Sequence, residues 1–232
     1  MSTPTVDRPP GRGADRQTSR RADRQTSRRR QIEDVASALF CARGYAATSV
    51  RDIAKALDLQ GGSLYAHVSS KEDVLWAIVD DAAGRFLAVA GPIASGPGGA
   101  VERLRELVNA HVAVVTESPE RARVFLEQWT ALSNERRQAV LGARDQYEAC
   151  FRQVVADGVA AGDLTADPWV AAVFTLSALN GIPRWYRPDG PLTPDQIAER
   201  FADLAVAALA GAPANHLGPP PAPLHLAPGG PR

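Results

Sequence analysis

A chain of 232 residues, 45% apolar and 22% charged, has ordinary globular proportions and can bury a sizeable core, which argues against a wholly disordered polypeptide. No run approaches the eighteen or so apolar residues of a membrane helix, and no apolar stretch follows the Pro- and Arg-rich start, so neither a membrane span nor a secretory leader is expected. Formal charge sums to zero, yet residues 1–30 hold nine Arg against three Asp, a basic end on an acidic body that suits a polyanion partner at one end only.

In chain order, the first feature is a tandem octapeptide, Ala-Asp-Arg-Gln-Thr-Ser-Arg-Arg, at Ala14–Arg21 and again at Ala22–Arg29. It has no apolar residue but Ala and cannot bury a face. Residues 1–27 are therefore expected to be a disordered arm, able to lie along a phosphate backbone. Ile32, Val35, Ala36, Leu39 and Phe40 then mark one face of an amphipathic helix, with Gly44 placed to end it. Val50, Ile53, Ala54 and Leu57 mark a short second helix, with Ser49 and Asp52 as a capping box and Thr48 as a competing cap. Asp58-Leu59 makes a tight turn, and Leu64, Tyr65 and Val68 give a third helix its inner face. Ser70 with Asp73 caps a fourth, from Lys71 to about Val89.

Gly91–Gly99, with four Gly and two Pro, is expected to separate two parts. Longer helices follow: Val101–Thr116; one begun by Ser118-Pro119; about Asn134–Ala161, ended by Gly162; one begun by Asp167-Pro168; and a last begun by Thr193-Pro194 with Gln196. No segment alternates as a strand. The fold class is all-α: a helix-turn-helix domain over 28–90, a second helical domain over 100–210, and a disordered tail over 211–232 carrying seven prolines. Cys41 and Cys150 are too few for a disulfide or zinc framework, and His216 and His225 lack neighbouring ligands, so neither metal nor cofactor is expected.

Two short helices and a tight turn before a Gly- and hydroxyl-rich helix start read as a helix-turn-helix. Gly44–Ala54 and Ser63–Glu72 together resemble the N-terminal domain of the tetracycline-repressor family, over about residues 28–78. The resemblance implies a third helix in the major groove and a regulator that binds double-stranded DNA. Arg51 then matches a position touching bases or phosphate, and its guanidinium could read guanine. Gln60 and Ser63 are the other candidates for base readout. Thr48, Ser49, Tyr65, His67 and Lys71 fall at backbone-contacting positions, and the amides of Gly61 and Gly62 can approach phosphate. Tyr65 and His67 could equally pack between helices. Three residues depart from the family pattern: Asp58 where Gly is usual, Gln60 as a poor cap, and the paired glycines.

In that family the second domain binds an effector and dimerises. Phe125, Trp129, Tyr147, Phe151 and Phe174 could line the effector site, though each could also be ordinary core. The segment Asn180–Gly190 looks like one in regulators of lipid, steroid or aromatic-acid catabolism that answer acyl-coenzyme A. Arg184 and Arg187 would meet the coenzyme's phosphates and Trp185 its adenine, or the arginines could pair with surface acids. Ala171, Ala172, Leu176 and Ala178, with Ile197, Phe201, Leu204, Ala205 and Ala208, suit packing across a two-fold axis.

The expectation is a homodimeric, ligand-responsive repressor on a palindromic operator, working in the bacterial cytoplasm at the nucleoid, with no membrane partner. Alternatives are an efflux-pump repressor sensing hydrophobic cations, with Glu127 and Glu148 as its carboxylates, or a nonspecific nucleic-acid-binding protein. No motif of an enzyme is present.

Overall fold

The computed structural model describes residues 12–59, 64 and 68–211, with backbone alone over 12–25. In order the helices are α1 (Arg12–Arg43), α2 (Val50–Ala56), α3 (Lys71–Ala94), α4 (Ala100–Glu117), α5 (Pro119–Glu127), a 3₁₀ turn (Trp129–Ala131), α6 (Asn134–Ala161), α7 (Pro168–Asn180), α8 (Ile182–Trp185) and α9 (Pro194–Leu209). The described residues contain no strand, and no helix among them is long and apolar enough to cross a membrane.

Two boundaries differ from the sequence expectation. α1 begins at Arg12, so most of the repeat is helical where a disordered arm was expected. Ala, Arg and Gln are strong helix formers, and a helix propagating from the packed turns at Ile32 and Ala36 needs no nucleus of its own. α3 likewise runs through Gly91-Pro92 to Ala94, where a break after Val89 was expected. Pro92 lies in its last turn, where it removes a single helical bond, and burial of Ala90 and Ala94 holds that turn. Arg103 Nη1 donates to the Ala94 carbonyl at 2.7 Å and serves as the cap.

Elsewhere the local signals decide the ends. Asp167 accepts from the Val170 amide, and Thr193 and Gln196 form a capping box. Gly162 (φ +83°) ends α6 in the left-handed region, where the Leu164 amide turns back to the Gly158 carbonyl. A Cβ at Gly158 would meet Leu164 Cδ1 at 2.7 Å, so only glycine lets that turn close.

α3 is the axis of the molecule. At about 1.5 Å per residue it spans ~36 Å, with Val74, Leu75, Ile78, Val79, Ala82, Phe86 and Ala90 buried along its length. It packs on α1, α4, α5 and α6, while α9 covers α4 and α7 covers α6. Phe151 on α6 is fully buried in the second part. Phe151→Ala is expected to lower stability by about 3–5 kcal/mol, to be read from urea denaturation.

Candidate nucleic-acid interface and effector domain

The head is built on a left-handed turn. Asp58 (φ +55°) is the one non-glycine with positive φ among the described residues, and it sits where the helix-turn-helix must reverse. Aspartate tolerates this conformation better than most side chains. The Leu59 amide closes the turn on the Ala54 carbonyl at 2.9 Å, and Leu64 is fully buried beyond it.

Ser49 caps α2: its hydroxyl accepts from the Asp52 amide while Asp52 Oδ2 accepts from the Ser49 amide at 2.8 Å. Thr48, expected at the DNA backbone, is instead buried, and its hydroxyl donates to the Gly44 carbonyl at 2.9 Å. It closes the turn after α1 because a short hydroxyl there reaches a helix-end carbonyl and no solvent. Lys71 Nζ donates to the Tyr45 and Thr48 carbonyls at 2.8 Å each and lies 4.1 Å over the Tyr45 ring. Two of its three donors therefore staple α3 to the turn before α2. Arg51 is exposed on α2 with no partner among the described residues. Gln60, Gly61, Gly62, Ser63, Tyr65 and His67 lie outside the described residues.

Polar contacts tie this head to the second part; among them the Cys41 thiol donates to the Glu120 carbonyl at 3.2 Å. Arg121 on α5 reaches Asp34 at 2.9 Å, Glu33 at 3.1 Å and Asp81 at 3.5 Å, bridging α1 and α3. Gln128 accepts from the Tyr45 amide at 3.2 Å. The Ser133 amide and Arg136 bind Glu72 at 3.0 and 3.2 Å, and Arg136 also binds Asp73 at 2.5 Å. Sequence reading missed these ties, because partners forty or more residues apart leave no periodic signal.

The carboxyls at this junction are held low. The Ser133 amide and Arg136 lower Glu72, and Arg136 with Ser70 lowers Asp73. A carboxyl whose folded pKa lies below its unfolded value supports the fold above that value, and the support is lost as pH falls through the folded pKa. Melting temperature is therefore expected to fall as pH drops below the ordinary Asp and Glu values of 3.8 and 4.5. Arg136→Met should show a smaller fall in thermal melts run between about pH 3 and pH 7.

In the second part, aromatic rings from four helices meet. Phe86 (α3) lies 5.0 Å from His111 (α4), 5.4 Å from Phe125 (α5) and 5.2 Å from Tyr147 (α6), and Tyr147 lies 5.5 Å from Phe151. These are packed core rings. Arg144 Nη2 donates to the Phe125 carbonyl at 2.9 Å, with its guanidinium 4.9 Å from the Phe125 ring and 5.0 Å from that of half-buried Trp129. Burial draws its pKa down to about 10.

The remaining effector candidates are not gathered with these rings. Phe174 is 53% exposed on the outer face of α7. Arg184 pairs with Glu127 at 2.9 Å, Trp185 stacks on Phe201 at 6.2 Å, and Arg187 donates to the Tyr186 carbonyl. Pro183 restarts the chain as the short helix α8, which turns Trp185 and both arginines towards solvent. An open groove of about 370 Å³ runs between α4 and α9, edged by Arg105, Asn109, Asp195 and Glu199.

The outer face of α7 is apolar, and one large apolar side chain of α9 is exposed too. Val170, Val173 and Phe174 recur at helical spacing on α7, and Leu204 on α9 is 67% exposed. Ala171, Ala172, Ile197 and Ala205, expected on a two-fold interface, turn inward instead. α7 is apolar nearly all round, so spacing does not say which of its stripes the rest of the protein covers.

Comparison with known proteins agrees with this architecture. Residues 32–78 match the family described as bacterial regulatory proteins, tetR family, and residues 97–209 match a tetracyclin repressor-like C-terminal domain. The chain is 30% identical to the HTH-type transcriptional repressor KstR2 of Rhodococcus jostii (strain RHA1), covering 78% of this chain and 90% of that protein. The structure of the ketosteroid transcriptional regulator KstR2 of Mycobacterium tuberculosis superimposes with a TM-score of 0.75 at 26% identity, covering 80% of this chain and 96% of that one. AibR, solved with isovaleryl coenzyme A and operator DNA, gives 0.67 at 29% identity, covering 78% and 97%.

Proposed function

Because this chain belongs to the TetR family of bacterial transcriptional regulators, we propose that it is a homodimeric repressor that holds a palindromic operator until an acyl-coenzyme A-type or other apolar effector releases it. The observation that carries the reading is the head itself: a capped α2 with Arg51 exposed and unpartnered among the described residues, a left-handed turn at Asp58, and polar ties to the helical body. The similarity to AibR, solved with both an acyl thioester and its operator, supports the effector class. Glu127 and Glu148 each pair with arginine, which disfavours the alternative of a sensor for hydrophobic cations.

Arg51 reads a base edge, with Ser49 and the remaining N–H of Lys71 at phosphate. An effector lodged among the rings of Phe86, Phe125, Tyr147 and Phe151 pushes on α3. Since α3 carries the head, the two reading heads of the dimer lose the spacing that one operator demands.

Selection of bound DNA from a random pool, then titration with isovaleryl- and longer acyl-coenzyme A, tests both halves. A palindrome released by a thioester is expected. A palindrome indifferent to every thioester removes the effector assignment, and a pool with no palindrome removes the repressor. Within the selected site, Arg51→Ala is expected to weaken binding about 10- to 100-fold and relax the choice at one base pair per half-site, measured by fluorescence anisotropy.

A further inference from the structure

α1 is longer than the head requires. Its buried residues begin at Ile32, with Ala36 and Phe40 one and two turns on, yet the helix starts twenty residues earlier, at Arg12. At about 1.5 Å per residue the extra length is ~30 Å. This extension is the tandem octapeptide, and residues 12–30 hold eight Arg against two Asp.

Helical register sorts those charges. Arg12, Arg16, Arg20, Arg24 and Arg28 stand four apart, and the same ridge continues as Ile32, Ala36 and Phe40. The repeat length produces this, because eight is two steps of four: each copy puts two arginines on the one ridge. In a disordered arm the spacing would do nothing. In a helix it makes a line of charge ~24 Å long, joined without a break to the part of α1 that is packed in the head.

Such a ridge works against the helix that carries it. Like charges four apart destabilise a helix, and four successive pairs of this kind run from Arg12 to Arg28. Only Asp15 and Asp23 stand within a turn of ridge arginines, three residues after Arg12 and Arg20. Arg28 Nη1 donates to Gln31 Oε1 at 3.0 Å, an uncharged partner. A polyanion lying along the ridge reverses that repulsion. Duplex DNA has the matching form, since ~24 Å of its axis presents about seven phosphates on each strand.

On the reading that the head binds DNA, we propose that the basic ridge of α1 is a second DNA-contacting element. It lies along the phosphate backbone of the duplex beside each half-site and adds affinity without adding base preference. Because the helix is continuous from Arg12 into the core, these contacts also fix the angle at which the head meets the groove.

The test compares the full chain with a variant carrying Arg16→Gln, Arg20→Gln and Arg24→Gln together, which keeps strong helix formers at all three positions. Binding is read by fluorescence anisotropy between about 50 and 200 mM salt. The probes are the palindrome selected from the random pool, cut at its outer edges; the same palindrome with about one helical turn of random sequence on each side; and a random duplex of the longer length. For the unmodified chain the flanks are expected to raise affinity about tenfold or more at the low-salt end. The triple variant should lose that gain and flatten the slope of log K against log salt by about 3 per protomer, while preferring the same palindrome. Lysine at the three positions should restore both. Ala22→Pro keeps every charge but breaks the helix in mid-ridge, and should lose most of the flank gain. Equal flank gain and slope in the unmodified chain and the glutamine variant overturn the proposal, and a flank gain that survives Ala22→Pro overturns the helical ridge. If no palindrome emerges, the reading of the head fails by itself: on the random duplex a flatter slope in the glutamine variant still supports the ridge, and an unchanged slope overturns it.

Discussion

Replacing Phe174 with glutamate is expected to leave each protomer folded but monomeric and unable to hold its operator. The side chain is 53% exposed on α7, so a carboxylate there meets water in the isolated protomer and costs the fold little. In a two-fold dimer the same surface occurs on both subunits, so each interface receives two substitutions. Losing one buried aromatic anchor costs about 2 kcal/mol or more, and two such losses weaken association on the order of a thousandfold. The carboxylates would also be desolvated close to one another, which adds to the loss. Sedimentation equilibrium reads the association state, and circular dichroism checks the fold. Operator affinity should fall with the dimer, because one head contacts only one half-site. A variant that remains dimeric would move the interface away from α7 and α9.

Arg121→Met is expected to lower stability by about 2–3 kcal/mol and to loosen the coupling between effector and operator. Arg121 is the meeting point of Glu33, Asp34 and Asp81. Burial works against its charge, but hydrogen bonds and charge from Asp34 and Glu33 outweigh that and raise its pKa. Methionine keeps the packing of the aliphatic stem and removes the charge. Asp34 and Asp81 are half-exposed or more and can return to water, which keeps the loss below that of a fully buried pair. Glu33 cannot, being 8% exposed, and retains only Arg29 at 3.2 Å. At roughly 2–4 °C per kcal/mol for a domain of this size, the melting temperature should fall by about 4–12 °C. In a double-mutant cycle with Glu33→Gln the two losses should not add, since each variant removes the same bond. Additive losses would mean that Arg121 acts through packing rather than charge.

Much of the candidate site was legible in the chain because its determinants are local. The capping boxes at Ser49 and Thr193, the stops at Gly44 and Gly162, and the left-handed turn at Asp58 each depend on residues within four positions of one another. Thr48 was misplaced for a related reason: as a residue type it suits a cap, a phosphate contact or a turn, and only the position of the Gly44 carbonyl selects the turn. The aromatic candidates were named without knowing which would meet. Phe125, Tyr147 and Phe151 converge in one cluster, whereas Phe174, on a helix that is apolar nearly all round, faces outward.

By itself, then, the sequence determined the all-helical class, most helix boundaries and the helix-turn-helix head, because hydrophobic period, caps and glycine turns act within one or two turns of chain. Tertiary structure alone decided which face of α7 stays uncovered, which arginines bind the head to the body, and which aromatic rings meet in the core. Those are contacts between residues far apart in the chain, and a charge or a ring carries no mark in sequence of the neighbour that packing will bring to it.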